Sequence, residues 1–132
     1  MPRFVTTRPP SFPGCKNNLA PAFDDLKVWQ VLFGDENHWR MGIYSPALSS
    51  ASEVIELERH DCPELFVLLS GSLTLVLKDG GSLRELPLEQ HRPILVTAPH
   101  SGFCPDGPFS GRALVVERDS FDTEYRTVAD WN

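Results

Sequence analysis

Hydrophobic and polar positions alternate in short bursts along most of this chain, and Gly, Pro, Asn or Asp interrupts them at intervals of about ten residues. A period of two marks strands, because successive side chains point to opposite faces. Such bursts occupy residues 27–33, 39–44, 52–60, 65–70, 72–78, 82–88, 93–97 and 113–118. Within residues 52–60, Ile55 and Leu57 point one way, while Glu56, Glu58 and His60 point the other. Residues 65–70 (LFVLLS) are apolar on both faces, which predicts a strand buried on both sides. Asp79-Gly80-Gly81 predicts a tight hairpin. Residues 98–111 are rich in Gly and Pro and read as a loop, and residues 119–132 as a tail with one short helical turn. No helical period is sustained. Eight or nine short strands with regular Gly/Pro turns predict an all-β sandwich or barrel.

Five prolines (Pro2, Pro9, Pro10, Pro13 and Pro21) fall within residues 1–22. Prolines at that density exclude a helix or a central strand, so an extended arm is expected over 1–22 and one barrel domain over 23–132. A small barrel leaves sheet edges open, to be covered by the arm or by a second subunit, so a homodimer is expected.

The chemistry-bearing residues are few. His60 is followed by Glu64 and then by Gly71, and His100 comes later, directly after Pro99. A histidine and a carboxylate on neighbouring strands can place a nitrogen and an oxygen at one point inside a barrel. That suits a bound metal or an acid/base pair.

These residues resemble the motifs of the cupin superfamily, small double-stranded β-helices of the jelly-roll type. The first cupin motif reads histidine, any residue, histidine, three or four residues, glutamate, six residues, glycine. Glu58-Arg59-His60, Glu64 and Gly71 follow that frame, with Glu58 where the family has its first histidine. Ala98-Pro99-His100-Ser101-Gly102-Phe103 is similar to the second motif, and the likeness spans residues 39–118. The resemblance implies a ligand set of Glu58, His60, Glu64 and His100 for Fe, Mn, Ni or Zn as divalent ions, and it includes the two-histidine, one-carboxylate combination. A narrower likeness, carried by SGSLTLVLKDGGSLRELPLEQ and VVERDSFDTEYRTVADW, is to the nucleotide-sugar 3,4-ketoisomerase branch. That branch implies a metal-free proton transfer with His60 as the acid/base, and Arg40, Arg59, Arg84 or Arg92 converging on a pyrophosphate.

Each of these residues also has a plainer explanation. Glu56, Glu58 and His60 can be the solvent face of a strand whose core face is Ile55 and Leu57. Glu64 can belong to a turn with Asp61 and Pro63, and His100 can cap a loop. His38 and His91 read as surface residues. Cys62 and Cys104 read as small buried hydrophobes, and Trp29, Trp39, Phe66 and Phe103 as core or pocket wall.

Composition narrows the field further. The 132 residues carry a formal net charge of −6 and no run of basic residues, so no nucleic acid and no anionic membrane is expected as a partner. No apolar run is long enough to cross a bilayer, and the first residues lack the apolar stretch of a secretory leader. Three cysteines without a CxxC pair suggest reduced thiols in a cytoplasm. Phosphate-cradling loops, GxSxG and HExxH are all missing, and no organic cofactor is expected. Three functions stay open. One is a cupin pocket for a metal and a small polar molecule, with isomerase or oxygenase chemistry on His60 and Glu58. The second is the metal-free isomerase. The third is a non-catalytic cupin that binds or senses a small molecule.

Overall fold

The computed structural model describes residue 3 and residues 18–131. Most of the expected arm, residues 1–22, therefore lies outside the described residues, as does Cys15. Residues 18–22 carry neither helix nor strand.

Ten strands follow in order: β1 (Trp29–Asp35), β2 (Trp39–Tyr44), β3 (Glu56–His60), β4 (Glu64–Ser70), β5 (Thr74–Asp79), β6 (Ser82–Pro87), β7 (Ile94–Val96), β8 (His100–Phe103), β9 (Arg112–Arg118) and β10 (Thr123–Thr127). Two single-turn 3₁₀ segments accompany them, Ala51–Glu53 between β2 and β3 and Val128–Asp130 after β10. The strands form two five-stranded antiparallel sheets, ordered β1-β2-β9-β4-β7 and β10-β3-β8-β5-β6. The interleaved order means that successive stretches of chain cross from one sheet to the other, as in a jelly roll.

Two strands lie in the expected loop 98–111 and tail 119–132, and the tail also holds its expected short helical turn, Val128–Asp130. β8 is four residues long, sits between prolines and contains Gly102, so its sequence reads as a turn; pairing with β5 makes it a strand. β10 (TEYRT) has no buried face, and only its full ladder with β3 defines it. The DGG hairpin is as predicted. Asp79 pairs with Ser82, and Gly80 and Gly81 turn the chain with φ of 61° and 83°, the conformation of a two-residue type I′ turn. β4 differs from the expectation of two buried faces. Glu64, Phe66 and Leu68 are buried, whereas Leu69 is 42% exposed.

The alternation places the core. Phe66 and Leu68 of β4, Leu75 and Leu77 of β5, and Ala113 and Val115 of β9 point between the sheets. A second cluster, Leu57, Val76, Phe103 and Trp131, covers the outer face of the second sheet. Trp131 closes that layer and donates its indole N–H to the Leu57 and Arg126 carbonyls at 3.3 and 3.1 Å. Leu57 therefore faces outward under the C-terminal segment, and Ile55 precedes the strand at 75% exposure. With Leu57 on the outer face, Glu58 and His60 are left on the inner one. The solvent-face reading of these two residues had inside and outside reversed.

Candidate metal centre

Two rows of side chains face each other across the barrel. In the second sheet, β3 lies between β10 and β8. Thr123 is opposite His60, Tyr125 opposite Glu58, and Glu58 opposite His100. In the first sheet, Arg40 of β2 is opposite Glu117 of β9, and Leu65 opposite Val116. One step along that antiparallel ladder sets Glu64 beside Glu117 on the inner face. These rows line a cavity of about 310 Å³, walled also by Trp29, Tyr44, Phe66, Val115 and Phe121.

At its centre, His60 Nε2 stands 2.7 Å and His100 Nε2 3.0 Å from the same oxygen, Glu64 Oε1. Glu58 Oε1 is 3.6 Å from His60 Nε2 and 3.7 Å from His100 Nε2. One donor atom from each of the four residues lies within 4.8 Å of all the others. Each imidazole is held through its other nitrogen. His60 Nδ1 bonds Thr123 Oγ1 at 2.8 Å, and His100 Nδ1 meets the Ala98 carbonyl at 2.9 Å. A carbonyl only accepts, so His100 Nδ1 carries the proton of the neutral ring and Nε2 is a bare lone pair. The contacts around Glu64 are short but misaligned, and Glu64 Oε1 and His100 Nε2 are buried without a hydrogen-bond partner. Such a cluster of lone pairs needs a cation or extra protons. Donors about 2.1 Å from a shared ion stand roughly 3–4 Å apart, so the residues fit a divalent ion after small adjustments. Imidazole and carboxylate donors without thiolate suit Fe, Mn, Ni or Zn.

Without an ion, the electrostatics favour protons in its place. Burial opposes charge on His60, but the carboxylates of Glu58 and Glu64 beside it outweigh that, and its pKa rises to about 10. His100 is raised in the same way, against burial, chiefly by Glu64. Glu64 is held near 2: burial pushes it up, and the two imidazoles more than offset that.

Sequence reasoning brought together the four residues that meet, Glu58, His60, Glu64 and His100. It took the loop reading of His100 as an equal alternative, yet the residue is a buried strand residue. It missed Glu117, which lies inside the pocket beside Glu64 and is pushed up to about 7 by burial and by that neighbour, against the pull of Arg40. Its signal was legible in ALVVER as a lone inward carboxylate at the end of an apolar strand. It also missed Tyr44, Phe121, Thr123 and Tyr125 as pocket lining. Trp29 and Phe66 line the pocket and Phe103 packs in the outer core, as expected. Cys62 and Cys104 are buried free thiols, and His38 and His91 are exposed.

The arginines do not converge as a pyrophosphate site requires. Arg59 pairs with Glu124 and stacks on Trp131 outside the barrel, Arg84 pairs with Asp79, and Arg92 with Glu89. Arg40 alone of the four lines the cavity. The nucleotide-sugar isomerase reading loses its support here.

A two-sheet jelly roll with a histidine–glutamate cluster looking into its hollow is the double-stranded β-helix of the cupins. The chain has the fold of that superfamily. It resembles a cupin-2 domain protein of Shewanella frigidimarina (TM-score 0.54, 13% identity, 73% of this chain and 84% of that one). It also resembles the polyketide cyclase RemF of Streptomyces resistomycificus (0.51, 26%, 76% and 69%). A third likeness is to an RmlC-like cupin of Desulfovibrio desulfuricans (0.50, 18%, 79% and 95%). No family model matches the sequence, and no curated protein does. Among the described residues, no helix is long and apolar enough to cross a membrane.

Proposed function

We propose that this protein is a metal-dependent cupin enzyme acting on a small carbonyl compound by proton transfer, as in an isomerisation or ring closure. One observation carries the reading. Glu64 Oε1 and His100 Nε2 are buried without a hydrogen-bond partner beside His60 Nε2, and both imidazoles are oriented from behind. Ligating histidines are held in this way through the second nitrogen. His60, Glu64 and His100 would hold the ion, which would supply a Lewis acid for a carbonyl oxygen and so acidify the neighbouring C–H. Glu58, the most open of the four with 33% of its side chain exposed, takes that proton and returns it to another atom. Tyr125, opposite Glu58, orients that carboxylate. Trp29, Tyr44, Phe66 and Phe121 keep water from the reacting atoms. RemF, itself a polyketide cyclase, is consistent with carbonyl chemistry in such a barrel. Oxygenation is the other chemistry that a two-histidine, one-carboxylate site supports.

Elemental analysis of protein purified without chelator tests the proposal. Near-stoichiometric transition metal is expected, and less than a tenth of that after His60→Ala or His100→Ala. Absence of metal together with no uptake on zinc or ferrous titration overturns it. The aromatic walls also favour a second reading, a binding cupin. Ligand affinity without turnover, unchanged by His60→Ala, would establish that reading instead.

A further inference from the structure

Arg40 is a charged side chain that the ion does not need. Its guanidinium is fixed in the pocket wall. Nε donates to Glu117 Oε2 at 2.8 Å, and Nη2 forms an ion pair with the same oxygen at 2.7 Å. The guanidinium carbon lies 5.8 Å from the Trp29 ring and 5.0 Å from the Phe121 ring. Glu117 is itself almost fully buried, with 3% of its side chain exposed, whereas 27% of Arg40 remains open. A guanidinium has five N–H donors in a planar fork. Glu117 occupies the Nε/Nη2 edge. The Nη1/Nη2 edge keeps its donors, and among the described residues Nη1 has no acceptor. That edge too presents two parallel N–H groups, the geometry that grips a carboxylate.

We propose that Arg40 is a specificity-determining residue, held by Glu117 so that its free edge binds the carboxylate of a planar aromatic or conjugated substrate. The inference rests on the carbonyl-chemistry reading above and names its substrate class. Planarity follows from the walls, since Trp29, Tyr44, Phe66, Phe121 and Tyr125 surround a space of about 310 Å³. Charge is compatible as well. A divalent ion and Arg40 together offset the carboxylates of Glu58, Glu64 and Glu117, so an anion meets no net repulsion.

Calorimetric titration of the zinc-loaded and the zinc-free protein with 2-naphthoate and with neutral 2-naphthamide tests this. Naphthoate is expected to bind at least about tenfold more tightly than naphthamide, as a charge-assisted bidentate contact supplies. The paired variant Arg40→Met with Glu117→Gln removes both charges together and leaves no orphan charge in the wall. It is expected to erase the preference while keeping naphthamide affinity. Arg40→Lys, a charge without a fork, is expected to recover only part of it. Equal binding of the two probes by the parent protein overturns the inference, as does a preference that survives in the paired variant. Zinc content, read separately on each protein, reports on the metal proposal alone. A protein that takes up no zinc yet still prefers naphthoate sustains Arg40 and sinks the metal reading.

Discussion

At the scale of single residues, the behaviour of the site depends on which cation satisfies Glu64. If protons do, the pH response has one sign. His60, raised to about 10 in the folded chain, stabilises it fully below its ordinary 6.5, and that contribution fades as pH climbs toward 10. Glu64, held near 2, contributes fully above its ordinary 4.5 and loses this as pH falls toward 2. The ion-free protein should therefore melt at lower temperature at pH 9 than at pH 6. A metal reverses the slope, because ligation displaces the imidazole protons. Apparent zinc affinity should rise by about tenfold per pH unit for each proton released, between pH 6 and 8. Thermal melts with and without zinc at three pH values separate the cases; parallel curves would mean that zinc does not displace these protons. The hydroxyl behind His60 is a second handle. Thr123→Val should weaken zinc binding by about 10–100-fold with little effect on the fold, as loss of an orienting partner does.

The four candidate ligands were legible because Glu58, His60 and Glu64 lie close in sequence and Pro99 marks the approach to His100. Glu117 and Arg40 were not legible as a pair. They lie 77 positions apart, and only the β2–β9 register sets them opposite each other.

At the scale of elements, the motif glycine acts through backbone approach. Gly71 has φ +68°, and a Cβ there would meet the Ser110 carbonyl oxygen at 2.0 Å. Gly111 is its counterpart, since a Cβ would meet the Ser72 carbonyl oxygen at 2.1 Å. The two turns interlock at one end of the barrel, so neither tolerates a methyl group. Gly71→Ala should cost at least about 2 kcal/mol, strain and clash together, measured by urea unfolding. Gly80 has a similar φ, +61°, but open space around it. Gly80→Asn, a residue that type I′ turns accept, should stay within about 0.5 kcal/mol of the parent. Equal losses at the two positions would mean that φ alone, not the close approach, decides. The strands legible in sequence were those with their own alternation, such as β2, whose limits match the expectation. β8 and β10 were not, because their strand character comes from partners. Gly102 of β8 reads as a turn residue, yet a Cβ there would come 2.7 Å from the Tyr44 hydroxyl oxygen.

At the scale of the whole molecule, the open boundaries of the sheets matter most. Among the described residues, β1 and β7 border one sheet, and β10 and β6 the other. An unpaired edge offers N–H and C=O groups to another chain. The β1 edge is also apolar: Phe23 at 46%, Leu26 at 73%, Val28 at 43% and Val31 at 47% exposure lie in the approach to that strand or within it. A run of exposed apolar side chains beside an unpaired strand is the kind of surface that another chain covers. The edges of β6 and β10 carry Arg84, Glu85, Glu124 and Arg126, charges that discourage pairing. The homodimer expected from the sequence is therefore expected through β1. It would place Trp29 and Val28, which line the pocket, close to the subunit boundary. Light scattering at micromolar concentration should give twice the chain mass. Val31→Asp, which adds a charge to that edge without entering the pocket, should shift the protein to monomer with its metal content unchanged. A monomeric mass for the parent protein, or a dimer indifferent to Val31→Asp, would move the interface elsewhere or remove it.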